Sequence, residues 1–136
     1  MPTKEVSVEE ILPIDVLYQR SIPEMVLDWT KELVTALQAD YDRQYASVPT
    51  KLQELRDRNV GGRYRFEIKT GRKYHKIVAK GQGVHAFVDK KTGQVYKPAS
   101  YKAPAKHVRY DLRVMNDRER CFANADWAGG YLYIRG

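Results

Sequence analysis

The sequence predicts an α+β domain, and three observations carry the prediction. Apolar residues recur at steps of three and four in the first third of the chain, and alternate at period two beyond residue 62. Runs of helix precede runs of strand, which favours a long helix laid on a basic, mainly antiparallel sheet. The 136 residues suffice for one core. The expectation is a single domain, 1–136, with an acidic helical part (1–60) and a basic strand-rich part (61–136).

Residues 1–20 are ambiguous: Ser7 and Glu10 fit a capping box that Pro13 would stop. Ser21-Ile22-Pro23-Glu24 is a clearer box, with proline in the first turn, where its missing N–H costs little. Ile22, Val26, Trp29, Leu33, Leu37, Tyr41 and Tyr45 then share one face, so a helix is predicted over 22–46, ending before Pro49. Trp29, Leu33 and Leu37 should be buried on the sheet. Any part of this aromatic face left uncovered would allow a homo-oligomer. A short helix should follow over Lys51–Arg58, boxed by Thr50 and Gln53 and stopped by Gly61-Gly62.

Arg63–Lys69 places Tyr64, Phe66 and Ile68 on one face and Arg63, Arg65, Glu67 and Lys69 on the other. After a Thr70-Gly71 turn, Arg72–Lys80 and Val84–Asp89 read as strands. Asp89–Gly93 reads as a hairpin loop with Gly93 at positive φ, returning the chain as Gln94–Lys97. Pro98 and Pro104 mark 98–107 as an irregular basic loop, stiffened and extended by proline. Val108, Tyr110, Leu112 and Val114 alternate as a further strand. Asn116 or Asp117 can cap a short helix through about Trp127, Gly129-Gly130 ends it, and Tyr131–Arg135 reads as a closing strand.

Charge divides the chain. Residues 1–60 carry seven Lys/Arg against eleven Asp/Glu, whereas 61–113 carry fourteen against three. A block of that sign and density is the footprint polyanions bind, unless acidic helices neutralise it. The composition, 30% charged and 43% hydrophobic, argues against wholesale disorder. No run approaches the roughly 18 apolar residues of a membrane span, and MPTKEVSVEE has no apolar leader core. The single cysteine, Cys121, fits a reducing compartment. A cytosolic protein with no membrane partner is expected.

The segment VHAFVDKKTGQVYKPASYKAPAK (84–106) resembles one found in small uncharacterised proteins of tailed bacteriophages, and ADWAGGY (125–131) resembles their ends. The resemblance covers about a quarter of the chain and carries over no functional residue. It implies a viral origin, a location in host cytoplasm or virion, and the tasks small phage proteins often perform: handling nucleic acid or building virions.

The interleaving of rings and cations supports the first task, because bases stack on rings while cations follow phosphates. The candidate nucleic-acid-binding residues are Arg63, Arg65, Lys69, Arg72, Lys73, Lys76, Lys97, Lys102, Lys106 and Arg109, with Tyr96 and Tyr101 as stacking rings. Tyr64 and Phe66 fall on the core side of their strand. Glu67-Ile68-Lys69 has the form of half a metal-dependent nuclease site, but Asp57 and Asp89 lie on other elements and supply no second carboxylate. His75, His85 and His107 are too scattered for a metal site. Cys121 reads as core, and Gly81-Gln82-Gly83 lacks the Gly-Lys-Ser/Thr of a phosphate loop. No catalytic residue, metal or cofactor is expected. Alternative roles for the same basic surface are contact with other virion subunits or with a host protein.

Overall fold

The computed structural model describes residues 20–60 and 63–133. In order these form helices α1 (Ile22–Ala46) and α2 (Thr50–Val60), then strands β1 (Phe66–Thr70), β2 (Tyr74–Ala79), β3 (Gly83–Asp89), β4 (Gln94–Tyr96) and β5 (Tyr110–Asp111). Helix α3 (Met115–Asn124) and a 3-10 turn (Gly130–Leu132) follow. The strands make one antiparallel meander in chain order. The fold is α+β, as the pattern predicts.

α1 has the bounds its periodicity implies, and its capping box is formed. Ser21 Oγ accepts the Glu24 N–H at 3.2 Å and Glu24 Oε1 accepts the Ser21 N–H at 3.0 Å. Val26, Leu33, Leu37 and Tyr41 are buried on the inner sheet face against Phe66, Ile77, Ala86, Val88 and Val95. Each such aliphatic side chain contributes about 1.5–3 kcal/mol. Trp29 and Tyr45, at the rim of this face, are half-buried. The Arg118 guanidinium lies 4.3 Å over the Trp29 ring and that of Arg63 lies 4.6 Å over Tyr45. These contacts cover Trp29 and Tyr45 in part, while Ile22, at the start of the same face, is exposed.

Thr50 and Gln53 do not form the expected box. The Pro49 carbonyl accepts the Leu52 and Gln53 N–H groups, while the Gln53 amide donates to the carbonyls of Tyr45 and Val48 at 2.9 and 2.8 Å. Gln53 thus closes the corner between α1 and α2. The Ser7–Glu10 box and the Gly61-Gly62 stop lie outside the described residues.

β1 starts at Phe66 rather than Arg63, because the preceding residues are drawn to α1. Tyr64 stacks on Tyr41 at 5.1 Å, and Arg63 pairs with Asp42 at 3.4 Å. Gly93 has φ +73° as expected. A Cβ there would also lie 3.3 Å from Val26 Cγ2, so glycine is doubly required. Between β2 and β3 the register shifts after Ile77, leaving His85 as an extra residue opposite the Ile77–Val78 step.

The C-terminal expectations need correction. The strand 108–114 shrinks to two residues because Asp117 Oδ2 accepts the Asp111 N–H at 2.5 Å and breaks the ladder. Asn116 and Asp117 lie inside α3, whose N-cap is Val114, and the helix stops at Asn124. Over its described part, 131–133, the closing strand is not formed. Asp126 accepts the Gly130 and Tyr131 N–H groups at 3.1 and 3.0 Å, and Gly129 turns at φ +88°. Leu132 is buried and the adjacent Tyr131 ring stacks on His85 at 5.6 Å, so consecutive side chains both turn inward, which a strand forbids.

Candidate nucleic-acid interface

Strand alternation sends Phe66, Ile77, Ala86 and Val95 inward and their neighbours outward. The register aligns Lys69 with Lys76, Lys76 with Phe87, and Phe87 with Tyr96, a single rung across four strands of the outer face. Tyr74 meets Phe87 edge-on at 5.4 Å and Tyr96 at 6.3 Å. Phe87 is nevertheless buried. Lys76 Nζ lies 5.6 Å from its ring centre and 4.2 Å from that of Tyr101, so the loop tip, the lysine and Tyr74 close over it. Phe87 is the floor of a small outer cluster, and Tyr74, Tyr96 and Tyr101 are its accessible rings.

The loop 98–107 is not the extended strip that its prolines suggest. Pro98 and Pro104 bridge each other, Ala105 N–H donates to the Lys97 carbonyl at 2.7 Å, and Ser100 Oγ accepts from Lys102 and Ala103. The segment is a closed hairpin presenting Tyr101, 52% exposed, and Lys102 at its tip. Tyr96 is half-buried; its hydroxyl donates to Gln94 at 3.1 Å and burial raises its pKa.

The candidate cations fall into two groups. Lys69, Arg72, Lys73 and Lys102 are exposed, and Lys76 is half-buried between rings. Arg65 is exposed just before β1, Lys106 is exposed beyond the hairpin, and Lys97 sits 4.9 Å from the Tyr133 ring centre. Two others have internal partners. Arg63 is held by Asp42 and Tyr45. Arg109 donates to the carbonyls of Leu132 at 2.5 Å, Lys106 at 2.6 Å, and His107, which has φ +73°.

The carboxylates among the described residues neutralise little of the basic block. Among the described residues every ion-paired cation is an arginine: Arg20, Arg43, Arg63, Arg113 and Arg120. Among the described residues no lysine of the outer face is paired with a carboxylate. Of the block's three acids, Asp89 is committed to the Lys91 and Thr92 N–H groups and Asp111 to Arg113. Only Glu67 is exposed among the lysines.

The other chemical groups have internal explanations. His85 Nε2 lies 2.9 Å from Tyr131 Oη, and burial lowers its pKa to about 4. Cys121 is buried and its thiol is pushed up to about 12 by that burial, so it is protonated. His75 meets Thr70 Oγ1 at 2.9 Å, its pKa lowered by burial and then by Lys90. Among the described residues no three His, Cys, Asp or Glu side chains group to hold a metal ion. No described helix is long and apolar enough to cross a membrane. A hollow of about 630 Å³ beside α3 is lined by Arg109, Arg120, Tyr110 and Asp126. Its polar groups are engaged: Arg120 with Asp117, the Tyr110 hydroxyl with the Tyr131 carbonyl, and Asp126 with the turn.

Tyr74 and Phe87 are among the rings that the sequence interleaves with cations, but only Tyr96 and Tyr101 are picked out there as stacking rings. Their alternation with Lys73 and Lys76 was visible, but the rung joining them depends on hairpin register. No curated protein and no solved structure matches the chain. A family model does match it, over residues 16–134, and the chain thereby belongs to DUF7717, a family of unknown function.

Proposed function

We propose that this chain is a non-enzymatic phage protein that binds single-stranded DNA or RNA through the outer face of its sheet and the tip of the 98–107 hairpin. The carrying observation is the conjunction on that face of accessible rings and lysines that pair with no carboxylate among the described residues. Lys69, Lys73, Lys76 and Lys102 would follow phosphates, with Arg65, Arg72, Lys97 and Lys106 at the margins. Tyr74, Tyr96 and Tyr101 would receive bases, each stack being worth about 1–3 kcal/mol. The phage origin rests on the resemblance of 84–106 and 125–131.

The test is fluorescence anisotropy with labelled single- and double-stranded oligonucleotides across a salt series. Four to six phosphate contacts would lose roughly two orders of magnitude in affinity between 50 and 200 mM salt. Reversing Lys73 and Lys76 to Glu should weaken binding across sequences and flatten that slope. Absence of binding to either form below about 100 µM at about 100 mM salt, weaker than ordinary non-specific affinity, would overturn the proposal. A virion subunit or host-directed inhibitor using the same surface would give that result.

A further inference from the structure

β1 and β5 are the edges of the sheet. β5 has two residues and packs with α3, whereas β1 has five, with Glu67 and Lys69 exposed. The main-chain groups of β1 can be assigned to sides. Arg65 carbonyl accepts the Lys80 N–H and Gly71 N–H donates to Tyr74, so odd-numbered residues bond β2. Even-numbered residues therefore turn their N–H and C=O outward. Part of this outer edge is already closed, since the Gln38 amide accepts from the Phe66 N–H at 3.0 Å and donates to the Tyr64 carbonyl at 3.1 Å. The N–H and C=O of Ile68, the Thr70 N–H and the Phe66 carbonyl have no partner among the described residues, and lie beside a hollow of about 490 Å³ between α1 and β1.

The side chains on this edge are electrostatically unbalanced. Lys69 is directly opposite Lys76 on β2, a like-charge pair that disfavours the ladder, and Glu67 is opposite Val78. An antiparallel copy of Phe66–Thr70 aligned on Ile68 supplies what is missing. Glu67 then faces Lys69 of the second copy, and Lys69 faces its Glu67. Ile68 exchanges both main-chain bonds with Ile68 of the second copy, and each Thr70 N–H reaches the opposite Phe66 carbonyl. None of these four bonds needs the Phe66 N–H that Gln38 holds.

We propose that β1 pairs with β1 of a second copy in this register, joining two five-stranded sheets across a two-fold axis. The contact is small, so the dimer is a weak, concentration-dependent one. It shares only Lys69 with the nucleic-acid reading, which otherwise concerns the outer face and holds for a monomer.

Sedimentation velocity over a concentration series at low salt tests it. The unaltered chain should dimerise at about 100 µM and dissociate as salt screens the Glu67–Lys69 pairs. Ile68→Pro should abolish the dimer while keeping the folded circular dichroism spectrum, because that N–H has no partner among the described residues. Glu67→Lys or Lys69→Glu alone should also abolish it, and the double swap should restore it, which keeps the test decisive if the proline variant misfolds. A chain that stays monomeric at about 200 µM, well into the range of weak contacts, overturns the proposal. So does a dimer indifferent to Ile68→Pro and to the single charge reversals, or a double swap that fails to rescue.

Discussion

The two faces of the sheet carry similar residue types and use them oppositely. The inner face has Tyr41, Tyr64 and Trp127 packed within about 5 Å of one another, and main-chain groups beside them are engaged: the Trp127 main-chain N–H donates to Asp40 at 3.0 Å, and the Gln38 amide donates to the Tyr64 carbonyl at 3.1 Å. The outer face has Tyr74, Phe87, Tyr96 and Tyr101, with lysines that pair with no carboxylate among the described residues. The difference teaches that ring content does not identify an interface. What separates the faces is whether the charge beside the rings has a partner inside the molecule.

The contrast can be broken most strongly from within. Leu37→Ala opens a cavity beneath α1 and should cost about 2–5 kcal/mol in chemical denaturation, whereas Lys102→Ala at the exposed hairpin tip should change stability by less than about 0.5 kcal/mol.

Acid should also act on the inner face. His85 titrates near 4 when folded and near its ordinary 6.5 when unfolded, so between those values the unfolded chain binds more protons. Stability should therefore fall as pH drops through that window, by about 3 kcal/mol from this group. His85→Gln should remove that part of the slope in urea titrations at pH 4–7, leaving the carboxylate contribution.

Outer-face changes should register in binding instead. Tyr101→Ala should weaken single-stranded oligonucleotides by about 1–3 kcal/mol and duplex less, since only unpaired bases offer free faces. Equal losses for both would assign Tyr101 to the hairpin's packing. Glu67→Ala should leave no change in any Mg²⁺- or Mn²⁺-dependent cleavage, measured on labelled oligonucleotides, because no second carboxylate completes a metal site among the described residues.

Local signals determined much of this protein. The bounds of α1, its capping box, the Gly93 turn and the switch from period 3.6 to period two were legible because each is fixed by residues a few positions apart. The asymmetry of charge was legible too. Tertiary structure decided what depends on distant partners. Tyr131–Tyr133 alternates like a strand but turns because Asp126 caps its N–H groups and His85 receives its ring. The 98–107 segment closes because Pro98 and Pro104 meet, Arg63 is held at the surface by Asp42, and Arg109 turns to the carbonyls of the last turn. The Lys69–Lys76–Phe87–Tyr96 rung exists only once three hairpins are in register. Periodicity reports which face a side chain takes within its own element; pairing between elements decides which charges are neutralised and which are left to a partner.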